Sequence, residues 1–192
     1  MKYMIASDIH GSALYCAQMF DRFNAENADR LILLGDLLYH GPRNDLPEGY
    51  APKEVISLLN RYKDSLLCVG GNCEAEVDQM VLSFPVMAEF ALLQIGKKNL
   101  IYLTHGHHVN EQAPPPLKTG DILMCGHTHV PACRRHETFT YMNPGSISIP
   151  KDDSCRSYMV LEGEKFLWKR LDDGGKYMDY TFHDAFSGNA WQ

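Results

Sequence analysis

The 192-residue sequence has no apolar run approaching the roughly 20 residues needed to cross a bilayer, so no membrane-spanning helix is expected. The opening Met1-Lys2-Tyr3-Met4-Ile5-Ala6-Ser7-Asp8 reads straight into a strand. Its apolar part is too short for the central region of a signal peptide, and a cytoplasmic location is the default expectation. Cysteine is present but unpatterned: the six residues, at 16, 68, 73, 125, 133 and 155, form no Cys-x-x-Cys pair. Cys68 and Cys125 sit inside apolar runs, where cysteine acts as a small buried hydrophobe. A disulfide framework is therefore not expected. Basic charge is also scarce, with 18 Lys and Arg against 24 Asp and Glu and a net charge of −6. A general nucleic-acid binder carries a basic surface, so stable nucleic-acid binding is not expected. There is no internal repeat, low-complexity stretch or convincing linker, and the length suits one domain over residues 1–192. Hydrophobic residues make up 45% and charged residues 22%, enough for a real core.

Strand–helix alternation fills the first part. Lys2–Ser7 reads as a strand, and Ser12–Asn27 as an amphipathic helix with Ser12 as its cap. Leu31–Leu34 and Leu66–Val69 are continuous apolar runs, as expected of strands buried on both faces. Between them lie a Pro/Gly-rich loop and a helix over Pro52–Tyr62, with Pro52 in its first turn. Met87–Ile95 and Asn99–Thr104 flank Gly96-Lys97-Lys98, a hairpin signal. Asp121–Cys125 is another buried strand. Ala132–His136, Phe139–Tyr141, Ser157–Leu161 and Lys165–Arg170 read as antiparallel strands. The last twenty residues are ambiguous. The pattern predicts two packed sheets with helices outside, and ligands beyond the carboxyl ends of the strands.

Five polar clusters sit at just such ends: Asp8-Ile9-His10, Gly35-Asp36, Gly71-Asn72, His105-Gly106-His107 and Gly126-His127-Thr128-His129. If the sheet is parallel there, all five share one edge. Singly, each has an ordinary explanation. Asp8 would serve as a helix cap, Gly-Asp and Gly-Asn are turn dipeptides, and a lone histidine is usually a satisfied polar residue. Turns have no reason, however, to place Asp, Asn and His repeatedly beyond apolar strands. Carboxylate, amide and imidazole donors suit Mn²⁺, Fe, Zn²⁺ or Ni²⁺ better than Ca²⁺. Asp8, His10, Asp36, Asn72, His105, His127 and His129 are too many ligands for one tetrahedral ion, and about right for two ions sharing a carboxylate. Glycines beside them allow sharp turns and close approach of ions or phosphate.

The order Asp-x-His, Gly-Asp, Gly-Asn, His-Gly, Gly-His-x-His resembles the calcineurin-like metallophosphoesterase superfamily. The motifs run from Asp8 to His129. The stretch Gly35-Asp36-Leu37-Leu38-Tyr39-His40-Gly41-Pro42-Arg43-Asn44 is similar to that of small bacterial phosphodiesterases within it. The resemblance implies a four-layer α/β/β/α sandwich of two mixed β-sheets flanked by helices. It implies one ion on Asp8, His10 and His129, a second on Asn72, His105 and His127, and Asp36 bridging. Mn²⁺ is the first choice, with Fe, Ni²⁺, Zn²⁺ or Co as alternatives. A hydroxide between ions roughly 3.5–4 Å apart would attack the phosphorus in line.

One departure bears on substrate. Many monoesterases of the superfamily read Gly-Asn-His, whereas this sequence reads Gly71-Asn72-Cys73-Glu74. Cysteine is a poor general acid for an alkoxide, so a small phosphodiester with a leaving group of low pKa is the expected substrate. His107, His40 and Arg43 are further catalytic candidates, for phosphate contact or proton donation, with Asn44 in the same loop. Support of a neighbouring ligand is the plainer role for His107. Glu74 is either a helix-start residue or a partner of the ligands. His108, His136 and His183 have no motif context. A phosphomonoesterase is the nearest rival. From a different class comes a protein-assembly scaffold, since a subunit of the retromer sorting complex shares this fold and looks catalytically impaired. A homo-oligomer and the physiological substrate stay open.

Overall fold

A run of four apolar residues cannot alternate apolar with polar, so a strand built from it must be covered on both faces. In the computed structural model, which describes residues 1–183, β1 (Lys2–Ala6) and β2 (Arg30–Leu33) meet that condition. Met4, Ala6, Leu31 and Leu33 point to one cluster, shared with Met19, Phe20, Phe23, Val55 and Leu59. Those partners come from α1 (Ala13–Ala25) and α2 (Pro52–Arg61). Ile5, Ile32 and Leu34 point the opposite way, to Ile101, Leu103, Ile122, Met124 and Met142 of a second sheet. Period-two alternation thus divides one strand between two cores.

The first sheet also contains β3 (Leu66–Cys68), β9 (Ser157–Glu162), β10 (Lys165–Arg170) and β11 (Lys176–Thr181). The second is built from β4 (Phe90–Ile95), β5 (Asn99–Thr104), β6 (Asp121–Met124), β7 (Ala132–Arg135) and β8 (Phe139–Asn143). Their orders are β11-β10-β9-β1-β2-β3 and β4-β5-β6-β8-β7. Both are mixed. β1, β2 and β3 run parallel, as do β5, β6 and β8, while the outer strands pair antiparallel. The expected fold class of two mixed sheets with flanking helices is therefore observed.

Most expected elements recur within a residue or two. Ser12 caps α1 by accepting a hydrogen bond from Tyr15 N. β4 begins at Phe90 rather than Met87, because the Ala88 carbonyl accepts from Gly70 N instead of extending the ladder. β8 was expected only in an antiparallel run, yet it also pairs parallel with β6. Two elements gave no usable signal: α3 (Glu76–Val81), whose apolar Val77, Met80 and Val81 are exposed, and β11. Among the described residues no helix is long and apolar enough to cross a membrane.

Candidate metal centre

The five polar clusters occupy two sheet edges rather than one. β1, β2 and β3 deliver Asp8, Asp36 and Asn72 from the first sheet, and β5 and β6 deliver His105 and His127 from the second. The edges meet across the sandwich. Asp36 Oδ2 lies 3.3 Å from His105 Nε2 and 3.6 Å from His10 Nε2. Asp8 Oδ1 lies 3.3 Å from His129 Nε2 and 3.6 Å from His10 Nε2. Asn72 Oδ1 is 3.1 Å from His105 Nε2, which is 3.2 Å from His127 Nδ1. All seven candidate ligands are therefore brought together. Asp8, His10 and His129 form one group of donor atoms within 4.8 Å of one another, and Asp36, His105 and His127 form another.

The histidine rings are aimed by carbonyl oxygens. His10 Nδ1 donates to Tyr39 O at 2.8 Å, His105 Nδ1 to Leu34 O at 2.6 Å, and His129 Nδ1 to Ile149 O at 2.6 Å. A carbonyl only accepts, so Nδ1 carries the proton and each Nε2 presents a lone pair inward. His10 Nε2 and His129 Nε2 face each other at 3.2 Å. Two lone pairs at that distance need a cation between them. Asp8 Oδ1, buried beside both, accepts no well-formed hydrogen bond. The donor set therefore fits divalent cations. Burial disfavours a charged His105, yet the hydrogen bond that its ring donates to the Asp36 carboxylate and the charges of Asp8 and Asp36 raise it to about 9, so an ion bound at Nε2 would take the place of that proton. Burial likewise opposes charge on Asp8, but His10 and His129 hold its carboxyl well below the usual range.

The backbone is strained at these same residues. Eight non-glycine residues among those described have positive φ, and five are candidate ligands: Asp8, His10, Asp36, His127 and His129, between 49° and 66°. Left-handed backbone costs an L-residue about 1–2 kcal/mol, and such strain gathers at functional sites. The nearby glycines serve close packing. A Cβ on Gly35 would lie 2.5 Å from Gly71 N, and one on Gly71 would lie 2.2 Å from Asp36 Oδ1. β2 and β3 can bring their ligands together only because both residues lack side chains.

The calcineurin-like phosphoesterase superfamily domain matches residues 1–165. The chain belongs to that superfamily. It is 44% identical over 173 residues to phosphodiesterase YfcE of Escherichia coli K12, covering 90% of this chain and 94% of the relative. The solved structure of YfcE, a phosphoesterase from E. coli, aligns with TM-score 0.91 and 40% identity, over 95% of this chain and 100% of that one. Vps29 of Entamoeba histolytica in complex with zinc shares the fold, with TM-score 0.59 and 20% identity over 95% of this chain and 100% of that one.

The other candidates of this phosphoesterase divide. Arg43 and Asn44 line the cavity above His10, Asp36, Asn72 and His127. His40 does not line it; its ring packs edge-on against Tyr39 and Tyr50. His107 lines a neighbouring cavity bounded by Met87, Phe90 and Tyr102. Burial and the adjacent His105 lower it to about 4. Cys73 lines the main cavity, where burial and the Asp36 carboxylate push its thiol well up.

Of the supporting residues, Glu74 was a candidate partner of the ligands, while Ser146, Ser148 and Asn143 were not anticipated. Glu74 accepts from the backbone N–H groups of Asp36 at 2.8 Å, Leu37 at 2.7 Å, and Gly71. One carboxylate thus pins the β2 loop to the β3 loop. Ser146 and Ser148 both donate to the Asp8 carbonyl, at 2.8 and 3.0 Å. Asn143 donates to Gly126 O at 2.6 Å, holding the turn that bears His127. Asn143-Pro144-Gly145-Ser146-Ile147-Ser148 is another polar cluster after an apolar strand, the same signal as the first five.

Proposed function

We propose that this protein hydrolyses a small phosphodiester with two divalent metal ions, one on Asp8, His10 and His129, the other on Asn72, His105 and His127, with Asp36 shared. Mn²⁺ is the first choice, and Fe, Ni²⁺, Zn²⁺ and Co²⁺ suit the same donors. The observation that carries the reading is the set of inward-facing Nε2 lone pairs around two carboxylates, in a cavity of about 460 Å³. That volume is ordinary for a small-molecule site. When bound, such an ion pair lowers the pKa of a water and polarises the phosphate.

The chain's residues set the rest. Asp36 stands between His10 and His105 and fixes the spacing of the two groups. Asn72 and His127 are the least buried donors, so phosphate enters from their side. Arg43 lies on the cavity wall. Cys73 supplies no acid strong enough for an alkoxide, which favours a diester with a good leaving group over a monoester. The likeness to phosphodiesterase YfcE supports the same choice. Six free cysteines suit a reducing, cytoplasmic setting.

The test compares bis(p-nitrophenyl) phosphate with p-nitrophenyl phosphate in the Mn²⁺-loaded protein. Faster diester turnover is expected, with two ions per chain by elemental analysis. Asn72→Ala and His127→Ala are expected to abolish turnover while the protein still melts cooperatively. Full activity in either variant would remove the site assignment. Fewer than one ion per chain would favour the scaffold reading.

A further inference from the structure

Arg43, from the loop after β2, and Lys151, from the loop between β8 and β9, line the same cavity as His10, Asp36 and Asn72. Neither takes part in an ion pair among the described residues. Lys2, Lys169, Lys176, Arg134 and Arg170 all do. What sets Arg43 and Lys151 apart from other basic side chains is that both line the cavity of the candidate ligands.

Lys151 is also tied to the candidate ligands. Its N–H donates to His129 O at 3.4 Å, two residues beyond the carbonyl that orients His129. Its own carbonyl accepts from Ser154 N at 3.0 Å and Ser154 Oγ at 2.6 Å. Asp152 and Asp153 follow in left-handed conformation, exposed, and neither lines the cavity. The cation is thus separated from the carboxylates adjoining it in sequence.

Charge decides what the two cations are for. Asp8 and Asp36 cancel half the charge of two divalent ions. A singly charged diester and a hydroxide nucleophile cancel the remainder. A plain diester leaves Arg43 and Lys151 with nothing to neutralise. We infer that the natural substrate is a phosphodiester bearing a second anionic group, a phosphate, held by Arg43 and Lys151 across the cavity from the scissile bond. The guanidinium fork and the ammonium point charge both match phosphate oxygens. This rests on the dinuclear phosphodiesterase reading above and adds the substrate class.

The experiment uses the Mn²⁺-loaded full chain and two probes with the same leaving group: the p-nitrophenyl ester of thymidine 5′-phosphate, and its 3′-phosphorylated derivative. The quantity read is the ratio of their kcat/KM values. The native protein is expected to prefer the phosphorylated probe by about tenfold or more, since tenfold corresponds to only about 1.4 kcal/mol. In Lys151→Gln and Arg43→Gln the ratio is expected to fall to about threefold or less. Lys151→Arg, which keeps the charge, is expected to retain it. Calorimetry with thymidine 3′,5′-bisphosphate against thymidine 5′-phosphate is expected to show the same preference in binding. A native ratio near one, or a ratio untouched in both glutamine variants, overturns the inference while leaving the diesterase intact. Failure to hydrolyse either probe overturns the diesterase reading, and the inference falls with it.

Discussion

The two groups of candidate ligands are built differently. Asp8, His10 and His129 are at most 3% exposed, and the serines, carbonyls and β-strands around them leave no freedom. In the other half, His105 is equally buried, but Asn72 is exposed and His127 is half-buried. Asn72 follows a short strand, β3, and among the described residues its side-chain amide donates only to Cys73 Sγ, at 3.3 Å. Both groups border one cavity, the first through His10 and His129 and the second through Asn72 and His127, but the first is the more deeply buried. Closed sites retain ions, whereas sites with an open position admit water and substrate. On the proposed two-ion reading, the difference predicts tighter retention in the first group and easier exchange and substrate entry at the second.

The most damaging change should be the one that erases the distinction. Asp36→Ala removes the carboxylate between both halves. Turnover of the aryl diester is expected to fall about a thousandfold or more, roughly 4 kcal/mol of barrier, with both ions lost. Steady-state kinetics and elemental analysis check it, and retention of two ions would break the picture. Next, His127→Ala and Asp8→Ala separate the halves. Each is expected to lose about a hundredfold or more in kcat/KM. His127→Ala should keep one slowly exchanging ion, while Asp8→Ala should keep only a rapidly exchanging one. Equal retention, followed with a chelator, would refute the comparison.

A smaller loss is expected for Glu74→Gln. The carboxylate holds the Asp36 and Gly71 backbones together. Its removal should cost about 10–100-fold in activity or metal affinity, mainly in the open half. Unchanged metal binding would show that the loops hold without it. The smallest effect lies outside both halves. Glu26 is opposed by burial, but Lys169, Tyr158 and Lys2 hold its pKa below the usual 4.5. A depressed carboxylate contributes stability above its unfolded pKa and loses it as pH falls through the folded value. Glu26→Gln should therefore lower stability by about 1 kcal/mol at neutral pH, with the gap closing below pH 4.5. Thermal melts across that range test it, and kcat/KM should not move.

Local patterns were legible in the sequence, and long-range contacts were not. The buried runs around Ile5, Ile32 and Ile122 announced two-faced strands, because their apolar patterns are local. The seven candidate ligands were legible for the same reason, each standing just past such a run. What the sequence hid was contact across long separations. That Asp8 and Asn72 lie on one sheet edge and His127 on another follows from pairing that no local pattern encodes. Glu74 stood undecided between helix start and partner of the ligands because two of its three backbone partners, Asp36 and Leu37, come from a distant loop. Lys151 drew no notice because an exposed lysine among aspartates is ordinary until the cavity beside it is seen. α3 was missed because its apolar residues face solvent, which leaves no stripe to read.

The left-handed backbone at Asp8, His10, Asp36, His127 and His129 sets fold stability against function. Glycine adopts that conformation freely, so replacing one of these residues by glycine relieves strain as it removes chemistry. Selection for thermal robustness alone, without metal or substrate, would erode the centre one residue at a time, with His127 the first to go. Inactive descendants of such a protein would be at least as well folded as their parent, and a shared fold in this superfamily is no sign that a member still catalyses anything.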